Sequence, residues 1–379
     1  MDGKLPTGVD RVGQAYVGYY GHRAQAVIRW AGLSWVMPRK FSVKLFAWIM
    51  DLESKQSVVK IIASGILTGW FRQKSAGAVL FNTGHSGLEK DNYPAMLRRM
   101  GVRPVFVVHD LIPITHPEYC RAGESDKHVK RMDQLLEIGC GVVANSRATL
   151  DNLAAFAQKS GRPLPPAVVG LLAPGILALK PGKRSMAAPY FVILSTIEPR
   201  KNHVMLLQLW RRLIELHGEQ APRLLVIGQR GWECENTIDF LERCSTLTGF
   251  VTEINNCSDQ DLITYLHHAR ALLFPSFVEG YGMPLVEALA LGVPVIASDL
   301  PVFREIAGSI PEYVNPLDGI RWGQLVMDYA QVDGEPRERQ LERMKEFAVP
   351  SWSDHFLQVD RLLERVGVAG TAGFPPARN

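Results

Sequence analysis

Short, wholly apolar runs recur along this 379-residue chain, separated by stretches in which apolar residues return every three or four positions. The runs are of buried-strand type and the stretches of helical type. Residues 6–12 read as a loop leading into a helix that continues to about residue 20, 26–37 as extended, and 41–51 and 56–71 as amphipathic helices. Strands are predicted at 78–82, 104–108 and 141–144. Helices are predicted at 93–100, at 124–139, and from Asn145 and Ser146 to 157. After two segments rich in proline, glycine and basic residues, 161–166 and 180–189, a new series begins, with strands at 190–196, 223–227, 251–254, 271–275, 293–297 and 313–314. Its helices include one reaching about residue 217, one capped by Ser258 with Asp261 in the capping-box position, and one opening at Pro284 and ended by Gly292. Further helices fill 317–347, and an amphipathic helix covers 352–366.

Strands and helices that alternate in this way predict α/β architecture, with parallel sheets covered on both faces. Two such halves form a cleft, and ligands of these sheets bind beyond the carboxyl ends of the strands. The pattern places one domain at 1–185, a second at 186–350, and a terminal helix with a disordered tail at 351–379. A doubly wound fold has a strand ahead of its first loop. Only five residues precede this one, so the first strand is expected to be truncated or its start mis-assigned.

The N-terminus lacks the apolar core of a signal peptide. The longest apolar candidate for a bilayer span, 58–71, is too short and carries Lys60. Five cysteines, with no C-x-x-C pair, point to reduced thiols in a cytoplasmic protein. No metal site is expected, because histidines and cysteines do not cluster at ligand spacing. The net charge of +4 is unevenly distributed: +10 over 1–180 and −6 over 181–379. Residues 21–75 hold nine basic and two acidic residues among several tryptophans and phenylalanines. That mixture suits an anionic membrane surface, or core aromatics with solvated charges between them. Nucleic acid is not expected, because no recognition motif accompanies the charge.

Two glutamates stand out at the end of the 271–275 strand. Glu279 lies in a loop with Gly280, Tyr281 and Gly282, and Glu287 lies eight residues on in the helix that follows, about two turns away. Amides around Gly280 to Met283, at a helix N-terminus, suit an anionic or hydroxyl-rich ligand; the alternative is a capped surface helix with two solvated glutamates. Arg200 and Lys201 follow another strand and open a helix, where adjacent cations can neutralise a diphosphate or simply form a surface turn. His109 ends a buried strand, where it can bond a substrate hydroxyl or departing phosphate, or simply be a satisfied polar residue at a strand end. Gly8 and Gly84 lie in first-half loops, and His85, between glycines, can approach a ligand closely or simply belong to a mobile loop. His267 and His268 read as structural, and His116-Pro117-Glu118 as loop-shaping. The chain has no G-x-x-x-x-G-K-[ST] loop and no G-x-G-x-x-G at a first strand, so a P-loop nucleotidase and a dinucleotide enzyme are not supported.

These elements together resemble family 4 of the retaining nucleotide-sugar glycosyltransferases, which have the GT-B fold of two Rossmann-like domains facing a central cleft. Glu279 and Glu287 match the family's E-x7-E element. Glu198-Pro199-Arg200-Lys201-Asn202 is similar to its pyrophosphate-binding turn. His109-Asp110-Leu111-Ile112-Pro113 and Pro6-Thr7-Gly8-Val9-Asp10-Arg11 resemble first-domain segments of bacterial mannosyltransferase-like members that build surface polysaccharide. The resemblance implies that Lys201, helped by Arg200, holds the donor diphosphate. It implies that Glu279 and the amides of Gly280 to Met283 bind the donor sugar, that Glu287 binds the ribose, and that His109 lies near the transferred sugar. Gly8, Gly84 and His85 would face the cleft on the acceptor or phosphate side. Several members carry an arginine six residues before the lysine. Ser195 stands there in this chain, and Arg200 is expected to substitute. The implied activity is metal-independent hexosyl transfer with retention, needing no cofactor. The first expectation is mannose moving from GDP-mannose to a lipid-linked saccharide in cell-surface polysaccharide synthesis, by a cytoplasmic enzyme peripheral to the membrane. The alternatives are a catalytically inactive scaffold of this fold in an assembly complex, and a related enzyme with a soluble acceptor.

Overall fold

The computed structural model describes residues 8–30, 33–50, 57–69, 77–175, 180–183, 186 and 188–367. The first half runs α1 (Gly8–Tyr20), β1 (Val27–Trp30), β2 (Leu33–Val36), α2 (Arg39–Met50), α3 (Val58–Gly69), β3 (Val79–Asn82), α4 (Tyr93–Met100), β4 (Arg103–Val108), α5 (Ile112–Thr115), α6 (Glu124–Ile138), β5 (Gly141–Ala144), α7 (Arg147–Lys159) and β6 (Ala167–Val169). Strands β3, β4, β5 and β6 form a parallel sheet in that order. The extended segment at 26–37 is instead an antiparallel hairpin of β1 and β2, separate from the parallel sheet. Strand β6, which the sequence pattern missed, is three residues long and follows Pro163, Pro165 and Pro166, residues that signal a break.

The second half runs β7 (Tyr190–Leu194), α8 (His203–His217), β8 (Arg223–Ile227), α9 (Glu235–Arg243), β9 (Val251–Ile254), α10 (Asp259–His267), β10 (Leu272–Phe274), α11 (Met283–Ala290), β11 (Val295–Ser298), α12 (Pro301–Ala307), β12 (Glu312–Val314), α13 (Gly319–Ala330), α14 (Glu335–Met344) and α15 (Trp352–Arg365). Its parallel sheet has the order β12-β11-β10-β7-β8-β9. The chain therefore builds outward from β7 on one side, then returns to pair β10 with the other side of β7. Loops leaving β7 and β10 head to opposite faces of the sheet and leave a crevice between them, the switch point at which such folds bind ligands. Apolar residues of both sheets and their helices make the core, with Trp210, Trp322, Phe191 and Phe274 among the largest buried side chains. Helix α9 also escaped the pattern: it is short, with Asn236, Thr237 and Asp239 weak helix formers.

The last helix returns to the first half. Tyr19 and Tyr20 of α1 donate to the two carboxylate oxygens of Asp360, at 2.9 and 2.8 Å. Phe356 stacks on Tyr19 at 4.1 Å between ring centroids, and His355 reaches the Tyr16 hydroxyl and the Gly170 carbonyl. The terminal helix thus completes the core of the half in which the chain started. The disordered tail predicted from the sequence and the question of a strand ahead of α1 fall on 368–379 and 1–7, outside the described residues.

Phe356→Ala empties a buried site between α1 and α15, so urea unfolding should show a loss of about 3–5 kcal/mol. A loss under about 1 kcal/mol would mean that α15 is dispensable to the first half.

Candidate functional site

The turn after β7 carries the first half of the site. Pro199, Arg200 and Lys201 make one turn of 3-10 helix, which Asn202 closes in a left-handed conformation (φ 58°) before α8 begins. Asparagine tolerates that backbone better than most residues, and its side-chain amide donates to the carbonyls of Pro275 and Pro316. The turn is thereby fastened to the loop after β10. The Phe277 N–H, donating to the Arg200 carbonyl at 2.8 Å, adds a second tie.

Between the two loops lies a buried charge cluster. Arg200 donates to Glu279 Oε2 at 2.8 Å and pairs with Glu198 at 2.6 Å, while Lys201 pairs with Glu279 Oε1. Lys201 is only 8% exposed and also lies over the Phe274 ring. Burial alone would raise the Glu279 carboxyl, but Arg200 and Lys201 overcome it and hold the group at about 2. Burial pushes Lys201 down against the pull of Glu279, and pushes Glu198 up. The alternative of two solvated glutamates therefore fails: Glu287 is buried, and the Glu279 side chain is only 7% exposed. Among the described residues, no ion pair involves Glu287. Its Oε1 accepts from the Gly175 N–H at 3.3 Å, and burial raises its carboxyl to about 7, with Arg11 opposing.

The other wall comes from the first half. Gly280 lies so close to the end of β4 that a Cβ on it would sit 2.3 Å from the His109 carbonyl oxygen, so only glycine fits. Ser146 and Thr149 donate to the Gly280 carbonyl at 2.9 and 3.1 Å. Gly282 adopts φ 111° at the start of α11 and leaves no room for a side chain against Phe303. His109 Nε2 lies 2.7 Å from the Thr83 carbonyl, which can only accept, so this nitrogen carries the proton and Nδ1 is the ring's acceptor. Burial lowers its pKa and keeps it neutral. His85 and His128 stand beside it, at 5.5 Å between the His85 and His109 ring centroids and 5.1 Å between His85 and His128.

The structure brings the sequence-predicted residues together unevenly. Arg200, Lys201 and Glu279 touch, and Gly280 abuts His109. Gly8 packs near Met283, and Gly84 near Val9. Tyr281 differs: its hydroxyl donates to the Leu172 carbonyl at 2.6 Å in a buried contact, which leaves only its backbone amide for a ligand. Ser195 is 3.3 Å from His203 Nε2 and offers no charge, so Arg200 is the second cation of the cluster. Three contributors were missed. Glu198 balances Arg200, His128 flanks His85, and Arg11 bridges the halves through both oxygens of Asp259, at 2.8 and 3.1 Å. Glu198 and Arg11 lie within the motifs that carry the resemblance, but the roles of Arg11 and His128 arise only through contacts distant in sequence. Among the described residues, no group of three or more His, Cys, Asp or Glu side chains is placed to hold a metal ion.

Residues 180–309 match the family described as Glycosyl transferases group 1. Over 227 residues, 56% of its length, the chain is 29% identical to the serotype-specific mannosyltransferase WbdA of Escherichia coli, of which it spans 28%. It is 34% identical over 129 residues to the O-antigen chain mannosyltransferase B of Escherichia coli, spanning 34% of this chain and 33% of that protein. The chain thus spans about a third or less of the length of these curated relatives. Among solved structures, Anabaena Alr3699/HepE in complex with UDP superimposes with a TM-score of 0.64 at 14% identity, over 95% of this chain and 97% of that one. The sucrose-phosphate synthase of Thermosynechococcus elongatus does so with a TM-score of 0.60 at 16% identity, over 92% and 87%. These neighbours cover both halves, and the fold is GT-B.

The charge cluster makes a stability prediction. Lys201→Met and Glu279→Leu each strand a buried charge and should cost about 3–5 kcal/mol in chemical denaturation, and the double variant clearly less than the sum. Additive losses would show that the two side chains do not interact. For Glu287 the folded pKa lies above the unfolded one. Its stabilisation is therefore full below the unfolded carboxylate range and is lost as pH rises through about 7. Glu287→Gln should gain on the wild type by roughly 2–3 kcal/mol between pH 5 and pH 8. A pH-independent difference would contradict the burial of an ionisable Glu287.

Proposed function

We propose that this chain, which carries a glycosyl transferases group 1 domain over residues 180–309, is a retaining hexosyltransferase. On this reading it moves mannose from GDP-mannose to a lipid-linked saccharide in cell-surface polysaccharide synthesis, as a peripheral enzyme on the cytoplasmic face of a membrane. The observation that carries it is the buried Arg200, Lys201 and Glu279 cluster at the sheet's switch point, facing His109 across Gly280. Mannose and surface polysaccharide are supported by the similarity to two Escherichia coli proteins, a serotype-specific mannosyltransferase and an O-antigen chain mannosyltransferase. Among the described residues no helix is long and apolar enough to cross a membrane, and a peripheral enzyme needs none.

In the resting chain, Glu279 and Glu198 balance the buried Lys201 and the partly buried Arg200. A donor diphosphate brings its own charge, so Arg200 and Lys201 turn to it and Glu279 is released toward hydroxyls of the hexose. As the bond from the anomeric carbon to the diphosphate oxygen lengthens, negative charge grows on the leaving group. Arg200, Lys201 and the amides at the start of α11 stabilise it in a site that excludes water. The departing phosphate takes the acceptor's proton on the face from which it leaves, so the new bond retains the configuration. His109, neutral and fixed by Thr83, presents Nδ1 as an acceptor for a hydroxyl of the transferred sugar. Glu287 accepts from the nucleotide ribose, and its carboxyl, raised to about 7 by burial, is half ionised at that pH. No cofactor enters this scheme.

Thermal-shift screening against GDP-, UDP- and ADP-sugars tests the donor, and GDP-mannose should give the largest shift. Transfer or slow donor hydrolysis should fall at least a hundredfold in Lys201→Ala, about the effect of removing one preorganised stabilising group. A panel with neither binding nor turnover would favour the inactive scaffold. Turnover unchanged in Lys201→Ala would refute the role given to the cluster.

A further inference from the structure

Helices α2 and α3 pack on each other beside the hairpin and bury Leu45, Ile61 and Met37 in a small core of their own. The approach is tight: a Cβ on Gly65 of α3 would meet Met37 at 2.3 Å. Their outward faces combine exposed apolar side chains with cations. On α2 the exposed stripe is Arg39, Lys40, Val43, Lys44, Ala47 and Met50, and on α3 it is Val59, Lys60, Ala63, Ser64 and Leu67. Val43 is 51% exposed, Met50 53%, Val59 70% and Leu67 78%. Neither helix contains an aspartate or glutamate, and α3 is apolar all round apart from Lys60 and a few small polar residues.

A helix with apolar residues on every side is normally buried on every side. The inner face of α3 is buried by the protein and its outer face is not. An ordinary solvated helix of this same chain looks different: α14, Glu-Pro-Arg-Glu-Arg-Gln-Leu-Glu-Arg-Met, mixes both signs of charge. Apolar side chains beside cations, with no carboxylate among them, match a surface that is negatively charged above and hydrocarbon below. Each helix has 12 residues, too few to span a bilayer, and so can only lie along one.

We propose that the outward face of the α2–α3 pair is the docking surface for an anionic lipid bilayer. Val43, Met50, Val59 and Leu67 enter the boundary between headgroups and acyl chains, and Arg39, Lys40, Lys44 and Lys60 meet lipid phosphates. This deepens the membrane part of the proposed function by naming its surface, and it is independent of which donor the enzyme uses.

Flotation of the full chain, without donor, on phosphatidylcholine vesicles with and without phosphatidylglycerol tests it. The wild type should float with the anionic vesicles at low salt, and this binding should weaken as salt rises. Lys40→Glu/Lys44→Glu/Lys60→Glu and, separately, Val59→Asp/Leu67→Asp should lose at least tenfold in vesicle affinity while keeping the wild-type melting temperature and nucleotide-sugar thermal shift. Equal flotation on neutral vesicles, or wild-type flotation by both variants, overturns the proposal. So does a wild type that ignores vesicles and self-associates through this face, seen in light scattering as a dimer that the Val59→Asp/Leu67→Asp variant dissociates. A chain that floats as described but gives no donor shift would defeat the enzyme reading and leave this surface standing.

Discussion

Two cations and two carboxylates, taken out of water at the switch point of a parallel sheet, set the terms for the second half of this molecule. Arg200 and Lys201 end the loop after β7, Glu279 lies in the loop after β10, and neither loop reaches the other by local folding alone. Burying such charges is costly unless each is paired. The geometry that pairs them must be held by other contacts, and Asn202 provides them from a backbone conformation few residues accept. The arrangement is balanced without a ligand and becomes over-supplied with negative charge once a diphosphate enters. The stored pairing is thus also what has to rearrange when the site is used.

The first half acts on this cluster by proximity. Gly280 lies against the backbone of His109, and Ser146 and Thr149 hold its carbonyl. Farther along, Glu305 of α12 accepts from the Arg147 and Ala148 amides at the N-terminus of α7, where a helix favours negative charge. Arg11 and Asp259 make a third bridge, and α15 a fourth, crossing back to bury Phe356 against Tyr19. Motion of one half over the other would have to break the first three contacts while α15 moves with the first half.

Strand–helix alternation made the two parallel sheets legible, because fully apolar runs bounded by glycine and proline have few other readings. Residues 104–108 and 224–227 are of that kind. The hairpin of β1 and β2 was legible as extended but not as separate, since alternation does not say which sheet a strand joins. Strand β6 and helix α9 were obscured by prolines and weak formers, and tertiary packing overrode local preference there. In the site, Arg200, Lys201 and Glu279 could be named because each lies in a short local motif. That Glu279 binds both cations could not be read, nor that Tyr281 turns away to Leu172, because those partners are brought together only by the fold. Glu287 was named as a ribose contact, yet its raised carboxyl pKa follows from burial, which the sequence pattern alone did not give.

The central claim is that the buried cations form a seat for a diphosphate. Calorimetric titration of the wild type with GDP and with GMP tests it most directly, since the two ligands differ by one phosphate and share base and ribose. The account predicts that GDP binds at least about tenfold tighter, as one added charge-assisted contact to Arg200 or Lys201 requires. Equal affinities for GDP and GMP would contradict it.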